Sequence, residues 1–176
     1  MKNKRAFIAI PILIIMGAVF GALAKAGDVA IQGTFLGYTL YSFGIVSTEI
    51  FVWVAMCTII AVSSDNKIWA AVNVFIFLVA MILSYYSYSY FVVGYFVSRV
   101  VRYWLIMLIP ATVAGFIVWH VKINQVFKYV VIVLVTVILI HDIHILVRGY
   151  VNAIIIDIIL YIIFMLVILP KRARKN

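Results

Sequence analysis

Residues 129–147 read YVVIVLVTVILIHDIHILV and residues 151–169 read VNAIIIDIILYIIFMLVIL, with only Arg148-Gly149-Tyr150 between them. A helix rises about 1.5 Å per residue, so roughly 20 apolar residues cross the hydrocarbon of a bilayer. Membrane barrel strands are about 10 residues long and alternate strictly, which neither run does. Two apolar runs of helical length around a three-residue turn make a membrane hairpin. Periodicity adds nothing, because helices in lipid are apolar nearly all round.

Working outward, the same criterion finds four more runs, at about 6–24, 43–63, 68–90 and 100–121. The expected fold is all-α: a polytopic transmembrane helix bundle of about six spans, forming one integral membrane domain over residues 1–176. Composition agrees, with 68% hydrophobic and 11% charged residues against about 45–50% and 25% in soluble chains. So few polar side chains cannot cover a soluble domain of this size. An ordinary soluble enzyme, a disordered chain and a disulfide scaffold are thereby excluded, the last because Cys57 is the sole cysteine. The stretch 35–63 is too long for one untilted span. Its first part, FLGYTLYSFG (35–44), reads as an interfacial or re-entrant segment leading into span 2, or as the start of one tilted helix. Span 1 follows a basic MKNKR and ends in Ala22-Leu23-Ala24, as a cleavable signal would. Its apolar run is long for such a signal, and it is expected to be retained.

Net charge is +9, and orientation explains it. With the N-terminus inside, ten bases face the cytoplasm: Lys2, Lys4, Arg5, Lys67, Lys122, Lys128, Lys171, Arg172, Arg174 and Lys175. Four lie outside: Lys25, Arg99, Arg102 and Arg148. Positive charge stays inside, so both termini are expected to be cytoplasmic. Asp65 is the one inner acid, while Asp28, Glu49, Asp142 and Asp157 balance the four outer bases. The charge is therefore topogenic, and no nucleic-acid partner is expected. The tail KRARK (171–175) can also meet anionic headgroups of the bilayer.

Ionisable residues inside a span are costly and are functional candidates by default. Here they are Glu49 in span 2, Arg99 and Arg102 at the outer end of span 4, His141, Asp142 and His144 in span 5, and Asp157 in span 6. All fall in the outer half. His141 lies eight residues before Gly149 and Asp157 eight after it, so both sit ~12 Å from the turn and can pair across the hairpin. Such a pair either staples the hairpin or, with Glu49, forms a proton or ligand site. His141 and His144 share a helix face, but without a cysteine or a second histidine cluster no metal is assigned. Arg99 and Arg102 either meet an anionic ligand or Glu49, or snorkel to headgroups.

Nine of the eleven tyrosines fall at outer ends, and SYYSYSYF (84–91) is crowded beyond the needs of an aromatic belt. Tyr85 and Tyr88 are therefore candidates for the rim of an outward-facing polar pocket. Gly17, Ala18, Gly21 and Ala22 form a small-residue face on span 1. It serves packing within the chain or a membrane protein partner. P-loop, Rossmann, HExxH and GxSxG patterns are absent, connections are short, and no internal repeat relates spans 1–3 to 4–6. These features point away from catalysis, and no cofactor is expected.

AVNVFIFLVAMILSYYSYSYF (71–91), FIVWHVK (116–122) and GALAKAGD (21–28) resemble a family of uncharacterised small bacterial multi-pass membrane proteins, a domain of unknown function. The likeness covers spans 1–4. It implies a bacterial cytoplasmic-membrane protein of about six helices and carries over no site residues. The expected function is small-solute binding or transport through an outward-facing pocket, the solute being unknown. The alternative is a non-transporting membrane partner: an immunity, assembly or regulatory subunit.

Overall fold

The computed structural model describes residues 2–147 and 150–169. The turn residues Arg148 and Gly149 and the basic tail 171–175 lie outside them. Seven α-helices follow in chain order: α1 Lys2–Asp28, α2 Phe35–Thr48, α3 Ile50–Ser63, α4 Lys67–Tyr88, α5 Ser98–Val118, α6 Gln125–Leu146 and α7 Val151–Ile168. No strand occurs among the described residues, only an isolated bridge between Gln32 and Thr34.

Local sequence explains where several helices begin. Thr34, Asn66 and Asn124 cap α2, α4 and α6 by accepting the backbone N–H groups of Gly37, Trp69 and Phe127, which otherwise have no partner in the first turn. A π-helical turn, Ser89–Val93, extends α4 and ends at Gly94. The φ of 77° there is a left-handed conformation open to glycine at little cost. A 3-10 turn, Trp119–Lys122, closes α5.

Among the described residues, five helical stretches are long and apolar enough to cross a membrane: Ile10–Asp28, Lys67–Val93, Ser98–Lys122, Gln125–Leu146 and Val151–Ile168. The sixth expected span takes a different form. Residues 35–63 are not one tilted helix; the bend leaves them a broken span or a re-entrant loop. They are two 14-residue helices, α2 and α3, bent by 74° at Glu49. No proline or glycine lies at the break. Instead the Ser47 and Thr48 hydroxyls each donate to a carbonyl three residues back, Gly44 and Ile45, at 2.7 Å. The Trp53 indole N–H takes the Ser47 carbonyl at 2.8 Å. Side-chain bonds thus replace the helix ladder where α2 stops.

α1 packs most extensively on α4 and next on α2, while α3 touches α4, α5, α6 and α7. One apolar cluster joins α3, α6 and α7 around Phe51, Val135, Leu146, Ala153 and Phe164. The other joins α1, α3 and α4 around Leu13, Ala61, Val74, Phe77 and Leu78. The outer surface is apolar as well: Val130, Val133, Leu134 and Val137 on α6, and Ile155, Ile159, Ile162 and Leu166 on α7, are exposed. Water would not tolerate so continuous an apolar surface; lipid does.

The small-residue face of α1 is used inside the chain. Gly17 and Gly21 are buried, and a Cβ on either would overlap a backbone carbonyl of α4, that of Phe77 or Met81 respectively. Ser84 of α4 also donates to the Ala18 carbonyl at 2.6 Å, and Ala22 is half-buried.

Candidate functional site

The break in the second apolar segment gathers three acids, Glu49, Asp142 and Asp157. Glu49 is the junction residue, half-buried, with an extended backbone (φ −75°, ψ 145°). It gives α3 no side-chain cap of its own. The cap comes from α6. The Asp142 Oδ2 accepts the Phe51 backbone N–H at 3.0 Å, across 91 residues of sequence. A carboxylate at a helix N-terminus also meets the positive end of the helix dipole. The other Asp142 oxygen, Oδ1, lies 3.1 Å from the His141 Nδ1. Asp142 is buried, whereas the His141 side chain is 67% exposed. Asp142 therefore links an imidazole at the helix surface to the start of a helix inside the bundle.

Asp157 on α7 completes the group. It is fully buried, and neither carboxylate oxygen has a hydrogen-bond partner among the described residues. Asp142 and Glu49 are close enough to act on it electrostatically, and Asp142 and His141 act likewise on Glu49. Three carboxyl groups from three parts of the chain thus share one region, with a single histidine at its edge. A buried carboxylate without a partner requires a proton, a cation or a donor.

The pairing of His141 with Asp157 across the hairpin does not form. Equal depth says nothing of direction, and successive residues point ~100° apart around a helix. His141 and Asp142 are neighbours, and Asp142 is the one that faces inward. His144 is exposed on the same helix. No set of three His, Cys, Asp or Glu residues among those described is arranged to hold a metal ion. Arg99 and Arg102 are exposed at the start of α5, and neither forms an ion pair with an acid among the described residues.

The tyrosines divide. The Tyr85 hydroxyl donates to Asp28, which also pairs with Lys25 at 3.6 Å, while the Lys25 ammonium stands 5.1 Å from the centre of the Tyr85 ring. Tyr85 thus serves a cluster on α1 and α4, away from the Glu49 group in its bonding. Together with Tyr86, Trp53, Trp104, Ser47 and Thr48 it lines a cavity of about 60 Å³. Ser47 and Thr48 immediately precede Glu49, so this cavity reaches the break. Tyr88 is half-buried and is not among the residues lining it. At the turn before α7, a hydrogen bond to Tyr41, followed by the charge of that phenol, holds Tyr150 above the usual phenol range.

Sequence reading missed Phe51, Trp53 and Trp104. Trp53 and Trp104 stack at 4.7 Å and 8°, joining α3 to α5 beside the break. The run Ser47-Thr48-Glu49 ahead of IFVWVA is the available signal, because hydroxyl residues before an apolar run mark a helix start. A second polar knot also escaped notice. The Ser64 carbonyl accepts from the Trp119 indole at 3.2 Å and from the Lys122 ammonium, and the Ser64 hydroxyl accepts from Asn73 at 2.9 Å.

No family model, no curated protein and no solved structure matches the chain. The resemblance drawn from residues 71–91, 116–122 and 21–28 stays an expectation from sequence.

Proposed function

We propose that the chain is a multi-pass protein of a bacterial cytoplasmic membrane, with both termini inside, that binds a small solute and carries it across the bilayer. The group Glu49, Asp142, Asp157 and His141 is its functional centre, and no chemical reaction is assigned to it. One observation carries the reading: Asp157 is fully buried without a hydrogen-bond partner among the described residues, beside two further acids, where a membrane segment is broken. A group that served stability alone would be satisfied. Broken helices in membrane transporters place unpaired helix ends around solute and ion sites.

Asp157→Asn tests this in proteoliposomes loaded with a panel of labelled amino acids, sugars, nucleosides and water-soluble vitamins. The variant keeps the shape of the side chain and removes its charge. It is expected to stay folded, with stability within about 1 kcal/mol of the parent, and to lose at least ~10-fold in the transport rate of whichever solute the parent moves, equivalent to ~1.4 kcal/mol. A folded Asp157→Asn protein with full transport would refute the assignment.

A second reading, a non-transporting membrane partner, is favoured by a different observation. Asp142 is satisfied by Phe51 and His141, and the 60 Å³ cavity is not lined by His141, Asp142 or Asp157. Under that reading no solute in the panel moves and Asp157→Asn changes stability alone.

A further inference from the structure

We infer that the ligand of this centre's buried carboxyl group is a proton, which Asp157 takes up and releases by way of Asp142 and the exposed His141. The inference rests on reading the group as a functional centre, and it names the ion that the centre handles.

The surroundings of Asp157 select the ion. α7 packs against α2, α3 and α6. From the α2–α3 junction comes Glu49, and from α6 come Asp142 and His141. α2 brings Tyr41, whose ring lies 6.1 Å from that of Tyr150 at the start of α7. α7 itself adds Tyr161, whose hydroxyl is 2.7 Å from that of Thr136. The groups acting directly on Asp157 are thus acids, and neither of its oxygens is bonded among the described residues. A metal ion needs several donors converging on one point at fixed distances, and no three of the candidate donors do so among those described. The cavity at the break does not include Asp157 in its wall either. A proton needs neither a donor cage nor a void.

The structure also supplies most of a route. The His141 side chain is exposed at the surface of α6, and its Nδ1 is 3.1 Å from the Asp142 Oδ1. The route requires water to reach that surface: when Nε2 takes a proton from a hydronium ion there, the imidazolium can pass its Nδ1 proton to Asp142, leaving a neutral ring and a neutral carboxyl group. Asp142 keeps its other oxygen on the Phe51 N–H throughout, so the relay carboxyl stays in place while charged or neutral. The last transfer, from Asp142 to Asp157, requires the two carboxyl groups to come into hydrogen-bond reach, because Asp157 makes no such bond here. The proton then leaves Asp142 as a carboxylate and resides on Asp157. Each step moves one proton and conserves charge.

Infrared difference spectroscopy on the full chain in lipid nanodiscs, between about pH 4 and about pH 9, reads the carboxyl group directly. Expected is a carboxylic-acid C=O band that titrates, is missing in Asp157→Asn, and shifts on transfer to D₂O. In His141→Gln, which alters an exposed side chain, that D₂O shift should develop at least ~10-fold more slowly, ~1.4 kcal/mol of barrier. If Asp157→Asn does not fold, Asp157→Glu makes the same assignment by moving the band. Absence of a titrating band from Asp157, or an exchange rate unchanged in His141→Gln, would overturn the inference. The outcome is separable from transport. Vesicles that move solute with no Asp157 titration keep the transport reading and remove the proton site. A titrating Asp157 in vesicles that move nothing supports the proton site and removes the transport reading.

Discussion

Gly21→Leu is expected to abolish the native packing of the bundle. α1 and α4 approach so closely that even a Cβ at Gly21 would overlap the Met81 carbonyl, with the Met81 Cα 3.1 Å away. The atoms in the way are backbone, so no rotamer change can relieve them. A leucine must push the two helices apart along the most extensive contact of the fold. Overpacking a well-filled core costs about 1–3 kcal/mol or more, and at a backbone-to-backbone contact the upper end applies, roughly 3 kcal/mol. Close helix approach is also the main source of packing energy in lipid, where no hydrophobic force drives helices together. The same geometry recurs where α1 meets α2. A Cβ on Gly27 would stand 2.5 Å from the Gly44 nitrogen, and one on Gly44 would stand 2.6 Å from the Gly27 carbonyl carbon. Ala22→Leu is the control, since Ala22 is only half-buried. Unfolding in mixed micelles of increasing denaturing detergent should show Gly21→Leu far below the parent and Ala22→Leu well above Gly21→Leu. Equal stability of Gly21→Leu and the parent would mean that α1 does not lie where the structure has it.

Asp142→Ala should cost about 2–3 kcal/mol, while Asp142→Asn should cost less than about 1 kcal/mol. The difference follows from what each residue leaves behind. Asp142 accepts the Phe51 N–H at 3.0 Å within the bundle. Alanine orphans that N–H, and an N–H group buried in hydrocarbon has no water to turn to. Asparagine retains a carbonyl oxygen at the same place and can keep the bond. Relief of repulsion among Asp142, Glu49 and Asp157 works in the other direction and keeps the asparagine cost small. Phe51 is fully buried against Tyr161 and Phe164 of α7, so loosening the α3 start also loosens the α3–α7 contact. Thermal unfolding of the two variants in one detergent gives the comparison. Equal losses for alanine and asparagine would show that charge, and not the bond to Phe51, holds α3 in place.

Much of the helical layout was legible in the sequence. The runs at 68–90, 100–121, 129–147 and 151–169 became Lys67–Val93, Ser98–Lys122, Gln125–Leu146 and Val151–Ile168, because length and apolar character alone define a helix that can cross lipid. The break at Glu49 was legible only in part: Ser47-Thr48-Glu49 marks a helix start, but the carboxylate that caps α3, that of Asp142, arrives from 91 residues away. Composition reports that 35–63 is too long, but not where it bends. The site was legible as a set of residues and not as a set of bonds. Glu49, Asp142 and Asp157 stand out as acids in apolar runs. Whether His141 meets Asp157 depends on the rotation of α6 about its axis, and one residue of rotation exchanges His141 for Asp142. Gly17 and Gly21 announced a close contact, yet α4 as its occupant follows only from the fold.

Access of water to the buried acids is the direct test of the proposed transport centre. Ala153 lies one helical turn before Asp157 on α7 and is fully buried, and Cys57 is the only native cysteine. Ala153→Cys in a Cys57→Ser background therefore places a single thiol beside Asp157, and Val151→Cys, at an exposed position of the same helix, reports that reagent reaches this end. With a membrane-impermeant thiol reagent added outside to right-side-out vesicles, both thiols should react, Ala153→Cys more slowly because it waits for the centre to open. Full labelling of Val151→Cys with none of a folded Ala153→Cys would contradict a transport centre and leave a permanently closed, structural group of acids.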